Sequence, residues 1–150
     1  MPEHEAWMRI ALTQASAASA GDDVPVGAVV AGADGEILGV GFNRRELDHD
    51  PTAHAEVVAL RAAGRAHGAW RLAGATLVVT LEPCAMCAGA AIAARVSRIV
   101  FGAFDDKAGA CGSVWDLPRD RGSLHRPEVY SGVLAAECTD RLSDFFAARR

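Results

Sequence analysis

Thr76-Leu77-Val78-Val79-Thr80-Leu81-Glu82-Pro83-Cys84-Ala85-Met86-Cys87 carries the strongest fold signal in this 150-residue chain. Its first six residues form a short run of Val, Thr and Leu, the pattern of a buried strand. Glu82-Pro83 stops that strand, and proline suits the first turn of a following helix. A strand therefore runs straight into a helix start that bears two cysteines.

The same alternation extends in both directions. Upstream, residues 3 to about 20 read as a helix, with Met8, Ala11, Leu12 and Ala15 at i, i+3, i+4 and i+7 as its buried stripe. Gly21-Asp22-Asp23 ends it. Val26 to Ala31 reads as a strand, Gly32-Ala33-Asp34-Gly35 as a hairpin turn, and Ile37 to Phe42 as the returning strand. A polar loop from Asn43 to Pro51 precedes a helix from about Ala53 to His67, with Thr52 as its expected N-cap. Downstream, Arg98 to Ala103 is a strand, and residues 105–126 are loop-rich with one short helix. Glu128 to Ser131 forms a short fifth strand, and Leu134 to Arg149 a closing helix. This order implies an α/β fold, a three-layer α/β/α sandwich around a mixed sheet of about five strands, in a single domain over residues 1–150.

Composition narrows the class. Hydrophobic residues make up 51% and charged ones 23%, ordinary for a water-soluble fold. No apolar run approaches the roughly 20 residues needed to span a bilayer. The acidic start Met1-Pro2-Glu3-His4-Glu5 lacks the basic and apolar regions of a secretory signal, so a cytoplasmic protein with no membrane partner is expected. A reducing cytosol disfavours disulfides among the four cysteines. Cys111, in a Gly-rich loop, and Cys138, in a helix, read as small packed side chains. The net charge of −4 leaves nucleic-acid binding to local basic patches.

Pro51-Thr52-Ala53-His54-Ala55-Glu56 completes the chemistry. His54, Cys84 and Cys87 supply one imidazole and two thiols, a ligand set suited to a catalytic zinc that keeps its fourth position open. Cys84 and Cys87, three apart in a first helical turn, share one face and meet unpaired N–H groups that favour thiolate. His54 and Glu56, two apart, can serve one site only at the mouth of a helix. Glu56 is then a free carboxylate beside the open position, placed to move protons. Taken singly, each residue has a bland reading: a packed histidine, a redox cysteine pair, a solvated glutamate. Jointly, H-x-E and P-C-x-x-C are a known signature of zinc nucleobase deaminases, in which activated water attacks an amidine-like carbon and ammonia leaves. One Zn²⁺ per subunit is expected. A zinc-stabilised RNA-binding module without catalysis has no use for Glu56.

That signature leaves the substrate open. Beyond it, Asp23-Val24-Pro25-Val26-Gly27-Ala28-Val29, Asn43-Arg44-Arg45-Glu46, the stretch Thr80 to Ala90, the stretch Phe101 to Ser113, and Leu142-Ser143-Asp144-Phe145-Phe146 resemble bacterial tRNA-specific adenosine deaminases over nearly the whole chain. The resemblance implies a cytidine deaminase-like fold within that superfamily. It also implies deamination of wobble adenosine to inosine in an arginine tRNA with an ACG anticodon, by a homodimer that grips the anticodon stem-loop. It assigns Asn43 to the flipped nucleotide and Asp105 to the ribose near its 2′-hydroxyl, the group that separates RNA from DNA. Arg44, Arg45, Lys107, Arg119, Arg121, Arg126, Arg149 and Arg150 are the candidate RNA contacts. The competing reading is a deaminase of free guanine, cytosine or a nucleoside.

Overall fold

The computed structural model describes residues 1–149. The chain runs through α1 (Pro2–Ala20), β1 (Gly27–Ala31), β2 (Ile37–Phe42), a one-turn α2 (Arg45–Asp48), α3 (Ala55–His67), β3 (Thr76–Leu81), α4 (Ala85–Ala93), β4 (Arg98–Ala103), β5 (Glu128–Tyr130) and α5 (Ala135–Ala147). A short 3-10 turn, Leu117–Arg119, interrupts the long connection between β4 and β5.

The five strands form one mixed sheet in the order β2-β1-β3-β4-β5. β1 is antiparallel to β2 and β3, whereas β3, β4 and β5 run parallel. Parallel neighbours need a crossover, and α4 supplies it between β3 and β4.

Alternate side chains of each strand face opposite layers. Val29, Val78 and Val100 pack with Met8, Ala11, Leu12 and Cys138 beneath α1 and α5. Val30, Leu77, Val79, Ile99 and Phe101 pack with Ala55, Ala59, Ala88 and Ala91 beneath α3 and α4. A sheet covered on both faces explains why β1 and β3 are apolar nearly throughout. All four residues of the expected stripe on α1 are buried.

One close approach fixes the start of α3. A Cβ on Gly39 would lie 2.6 Å from the Ala59 carbonyl, and one on Gly41 would lie 2.5 Å from that of Ala55. Glycine at both positions lets α3 rest directly on β2 and holds its first turn against the end of the sheet.

Two expectations need correction here. Thr52 does not cap α3: its N–H and hydroxyl both donate to Asp50 Oδ1, at 2.9 and 2.8 Å, in a turn of their own. The N-cap position belongs to His54, and the Ala55 N–H is satisfied from a distance by Asn43 Oδ1 at 3.0 Å. The polar loop after Asn43 also contains α2, steadied by the bidentate Arg44–Asp48 pair at 2.9 and 3.0 Å.

Candidate active site

Two helix starts meet at one end of the sheet. His54 precedes the first turn of α3 with φ −70° and ψ 151°, an extended conformation. Its ring is therefore off the helical spiral, and it converges with Glu56 although the two are only two residues apart. Cys84 occupies the equivalent position on α4, with φ −73° and ψ 176°, and Cys87 is buried in the turn that follows. His54 Nδ1 lies 3.7 Å from Cys84 Sγ and 3.6 Å from Cys87 Sγ. The three ligand atoms fall within 4.8 Å of one another. Tetrahedral zinc with ordinary Zn–S and Zn–N bonds separates such a nitrogen and sulfur by about 3.6 Å, so the cluster has the spacing the ion requires.

The cluster opens into a cavity of about 180 Å³ lined by Asn43, Arg45, His54, Glu56, Glu82, Cys84, Asp105 and Ala108, among others. A larger groove of about 790 Å³ lies along α3 and α4 beside Trp70, but none of the ligand cluster reaches it. Chemistry belongs to the smaller cavity.

Electrostatics separate the roles. Burial pushes the Glu56 carboxyl up to about 7; its own backbone N–H and His54 pull it down, while the Cys84 charge adds to the rise. A group near neutrality can both accept and return a proton. Hydrogen bonds from Cys87 and His54 pull the Cys84 thiol down to about 3. Its bond with Cys84 and burial hold the Cys87 thiol up. The hydrogen bond with Cys84 raises His54, against its burial. A bound metal takes both sulfurs as thiolates and the imidazole as neutral, releasing these protons.

Residues 1–103 match the cytidine and deoxycytidylate deaminase zinc-binding region. The chain belongs to this deaminase family. It is 45% identical over 150 residues to the tRNA-specific adenosine deaminase of Bacillus subtilis (strain 168), covering all of this chain and 92% of that protein. A solved structure from work on A-to-I editing by tRNA:A34 deaminases at the wobble position superposes with a TM-score of 0.87. It shares 43% identity and covers 91% of this chain and 98% of its own. The guanine deaminase from Nitrosomonas europaea is more distant, at 29% identity and a TM-score of 0.79, over 95% of this chain and 84% of that one.

Against this family frame, the other expected site residues fall into two groups. Asn43 and Asp105 both line the cavity. Asn43 also has a structural duty, donating from Nδ2 to the Val24 carbonyl at 3.0 Å while Oδ1 holds the start of α3. Asp105 Oδ1 accepts from the Lys107 and Ala108 N–H groups at 3.0 and 3.1 Å, which shapes the loop it sits on. Four of the eight basic residues, by contrast, are already engaged. Arg45 clamps buried Asp23 Oδ1 at 3.2 and 2.8 Å, Arg44 pairs with Asp48, and Arg119 with Asp116. Arg149 binds Asp22 Oδ1 at 2.6 Å and lies over the Phe145 ring. Lys107 is exposed. Arg150 lies outside the described residues.

Sequence reasoning missed two buried carboxylates. Asp23 fixes Arg45 and the first turn of α2, accepting also from the Glu46 N–H at 3.1 Å. Glu82, read above only as the stop of a strand, lines the cavity and is 2% exposed. An acid wedged between a buried strand and a proline is the one signal that could have flagged it.

Proposed function

We propose that this chain is a hydrolytic deaminase that converts the wobble adenosine of a tRNA anticodon to inosine, with an arginine tRNA bearing ACG as its substrate. The observation that carries the reading is the convergence of Glu56, His54 and Cys84 on one small cavity, with Cys87 completing the ligand trio behind them. Full-length similarity to a tRNA-specific adenosine deaminase supports the choice of substrate.

His54, Cys84 and Cys87 would hold one zinc ion per subunit. An ion there would supply a water acidified to near neutrality, the nucleophile the reaction needs. Glu56 is the proton carrier: it would accept a proton from the attacking water, place it on the purine ring nitrogen, and then assist departure of ammonia. Asn43 orients the flipped base, its position secured by its bonds to Val24 and Ala55. Asp105 faces the ribose. Lys107, exposed beside Asp105, is placed to meet phosphate, whereas Arg44, Arg45 and Arg149 contribute after exchanging their carboxylate partners, and Arg150 adds charge.

The enzyme works in the cytoplasm as a single domain; no helix among the described residues is long and apolar enough to cross a membrane. It acts as a homodimer. The groove beside Trp70, which is 64% exposed, is the surface a second copy would cover.

Incubation with an unmodified arginine tRNA transcript, beside free guanine, cytosine and adenosine, tests the assignment. Inosine is expected at the wobble position alone. Ammonia from a free base with the transcript unchanged would make it a small-molecule deaminase with the same zinc chemistry.

A further inference from the structure

We infer that Glu82 is a positioning residue: its buried carboxylate anchors residues 105–113 as the cavity wall that presents Asp105. The inference rests on the reading that the cavity receives the target nucleotide.

Glu82 itself is held firmly. It follows β3, and its N–H donates to the Ala103 carbonyl at the end of β4, at 2.8 Å. Its side chain then collects four donors from the segment that leaves β4. Oε1 accepts from the Asp105 N–H at 3.1 Å and from the Ser113 hydroxyl. Oε2 accepts from the Cys111 and Ser113 N–H groups, at 3.0 and 3.1 Å. Oε1 thus joins the two ends of one loop, at Asp105 and Ser113, while Oε2 holds its far end.

The loop's own bonds are short-range turns, such as the Gly109 N–H to the Asp105 carbonyl at 2.9 Å and the Gly112 N–H to the Trp115 carbonyl at 2.8 Å. Residues 104–113 contain no helix or ladder strand, and one isolated bridge joins Cys111 to Asp116. The Ala110 N–H donates to the Pro83 carbonyl at 2.8 Å, bracing the loop beside Cys84. Gly109 has no room for a side chain, because a Cβ there would fall on the Glu82 carboxylate and the Asp105 carbonyl. Without Glu82, three backbone N–H groups would lose their acceptor, and buried donors are seldom left unpaired. The loop would then have to move, and Asp105 and Ala108 would move with it.

Glu82→Gln and Ser113→Ala test the anchor by three readouts: backbone hydrogen exchange across residues 104–114, zinc content, and steady-state kinetics on an anticodon stem-loop RNA. Glutamine keeps the shape but turns one acceptor into an NH₂ facing donors. In E82Q, exchange at Asp105, Cys111 and Ser113 should rise about tenfold or more, and KM should rise by a similar factor, as expected when charge-assisted bonds are lost. Zinc should stay at the wild-type level and kcat should change little. S113A, which loses one of the four donors, should shift exchange and KM in the same direction by less. Unchanged exchange in both variants would overturn the anchor. A fall in kcat at constant KM would overturn the positioning role in favour of direct participation in the chemistry. Should E82Q fail to fold, S113A decides alone, and wild-type exchange and KM in that variant would overturn the proposal. Looser exchange in E82Q beside a wild type that makes no inosine would instead overturn the substrate reading and leave the anchor standing.

Discussion

Glu56 at the mouth of α3 and Glu82 at the end of β3 are both nearly sealed from solvent, at 4% and 2% exposure, yet they behave as opposites. Burial dominates Glu56 and lifts its carboxyl to about 7, with the neighbouring Cys84 charge adding to the rise. At Glu82 burial pushes the same way, but bonds from the Ser113 hydroxyl and the Asp105, Ser113 and Cys111 N–H groups outweigh it, and the carboxyl is held below its ordinary value. Glu56 is governed by burial with few donors to offset it, whereas at Glu82 four donors outweigh burial. The first region keeps a carboxylate under-satisfied where chemistry occurs; the second saturates one where a loop must stay still.

The largest effect that could break this contrast comes from the metal cluster. Cys87→Ser should strip the site of zinc and reduce deamination to background, while hydrogen exchange across 104–113 stays at wild-type rates, because the Glu82 anchor shares no donor with the cluster. Loosening of that loop on zinc loss would show the two regions to be one unit. Next in size, Asp105→Asn should reduce the preference for RNA over DNA by about tenfold, the scale of one charge-assisted hydrogen bond. Unaltered preference, measured on paired RNA and DNA stem-loops, would remove the ribose assignment.

The acid limb of stability sharpens the comparison further. Glu82 has a folded-state pKa below its ordinary 4.5, so its contribution is complete above 4.5 and is lost as pH falls through the lower folded value. Glu56 has the opposite sign. Its folded value of about 7 lies above 4.5, so its protonated form favours the fold and that benefit fades as pH rises through about 7. Urea titrations of chelator-treated protein should therefore show a shallower acid loss in E82Q and a smaller decline between pH 4.5 and 7 in Glu56→Gln, each variant compared with wild type. Equal slopes in all three proteins would contradict the division of roles. The smallest expected effect is at the rim. Affinity for the tRNA should fall with salt, but with the modest slope of few neutralised phosphates, because Arg44, Arg45 and Arg149 already have carboxylate partners. A flat response would argue against a polynucleotide substrate.

Much of this was legible because it is local. β3 falls where its run of Val, Thr and Leu placed it, β4 spans the expected Arg98 to Ala103, and α1 buries the stripe its spacing predicts. The ligand trio was readable for the same reason: each half of it is a short motif at the start of one helix. The misses are non-local. Thr52 looks like a cap until Asn43, twelve residues earlier than Ala55, takes over the duty. Glu82 gathers donors from 23 to 31 residues downstream, a pattern with no period to detect. The rim arginines looked free in sequence because nothing there shows that Asp22 or Asp23 folds back onto them.

Zinc content and single-turnover inosine formation, measured on the same preparation of Glu56→Gln, test the division most directly. Retained zinc with turnover reduced about 10²- to 10⁴-fold is the predicted result, the range expected when a general acid–base is removed. Loss of zinc would make Glu56 a ligand, and full turnover would show that another group carries the proton; either result contradicts the account.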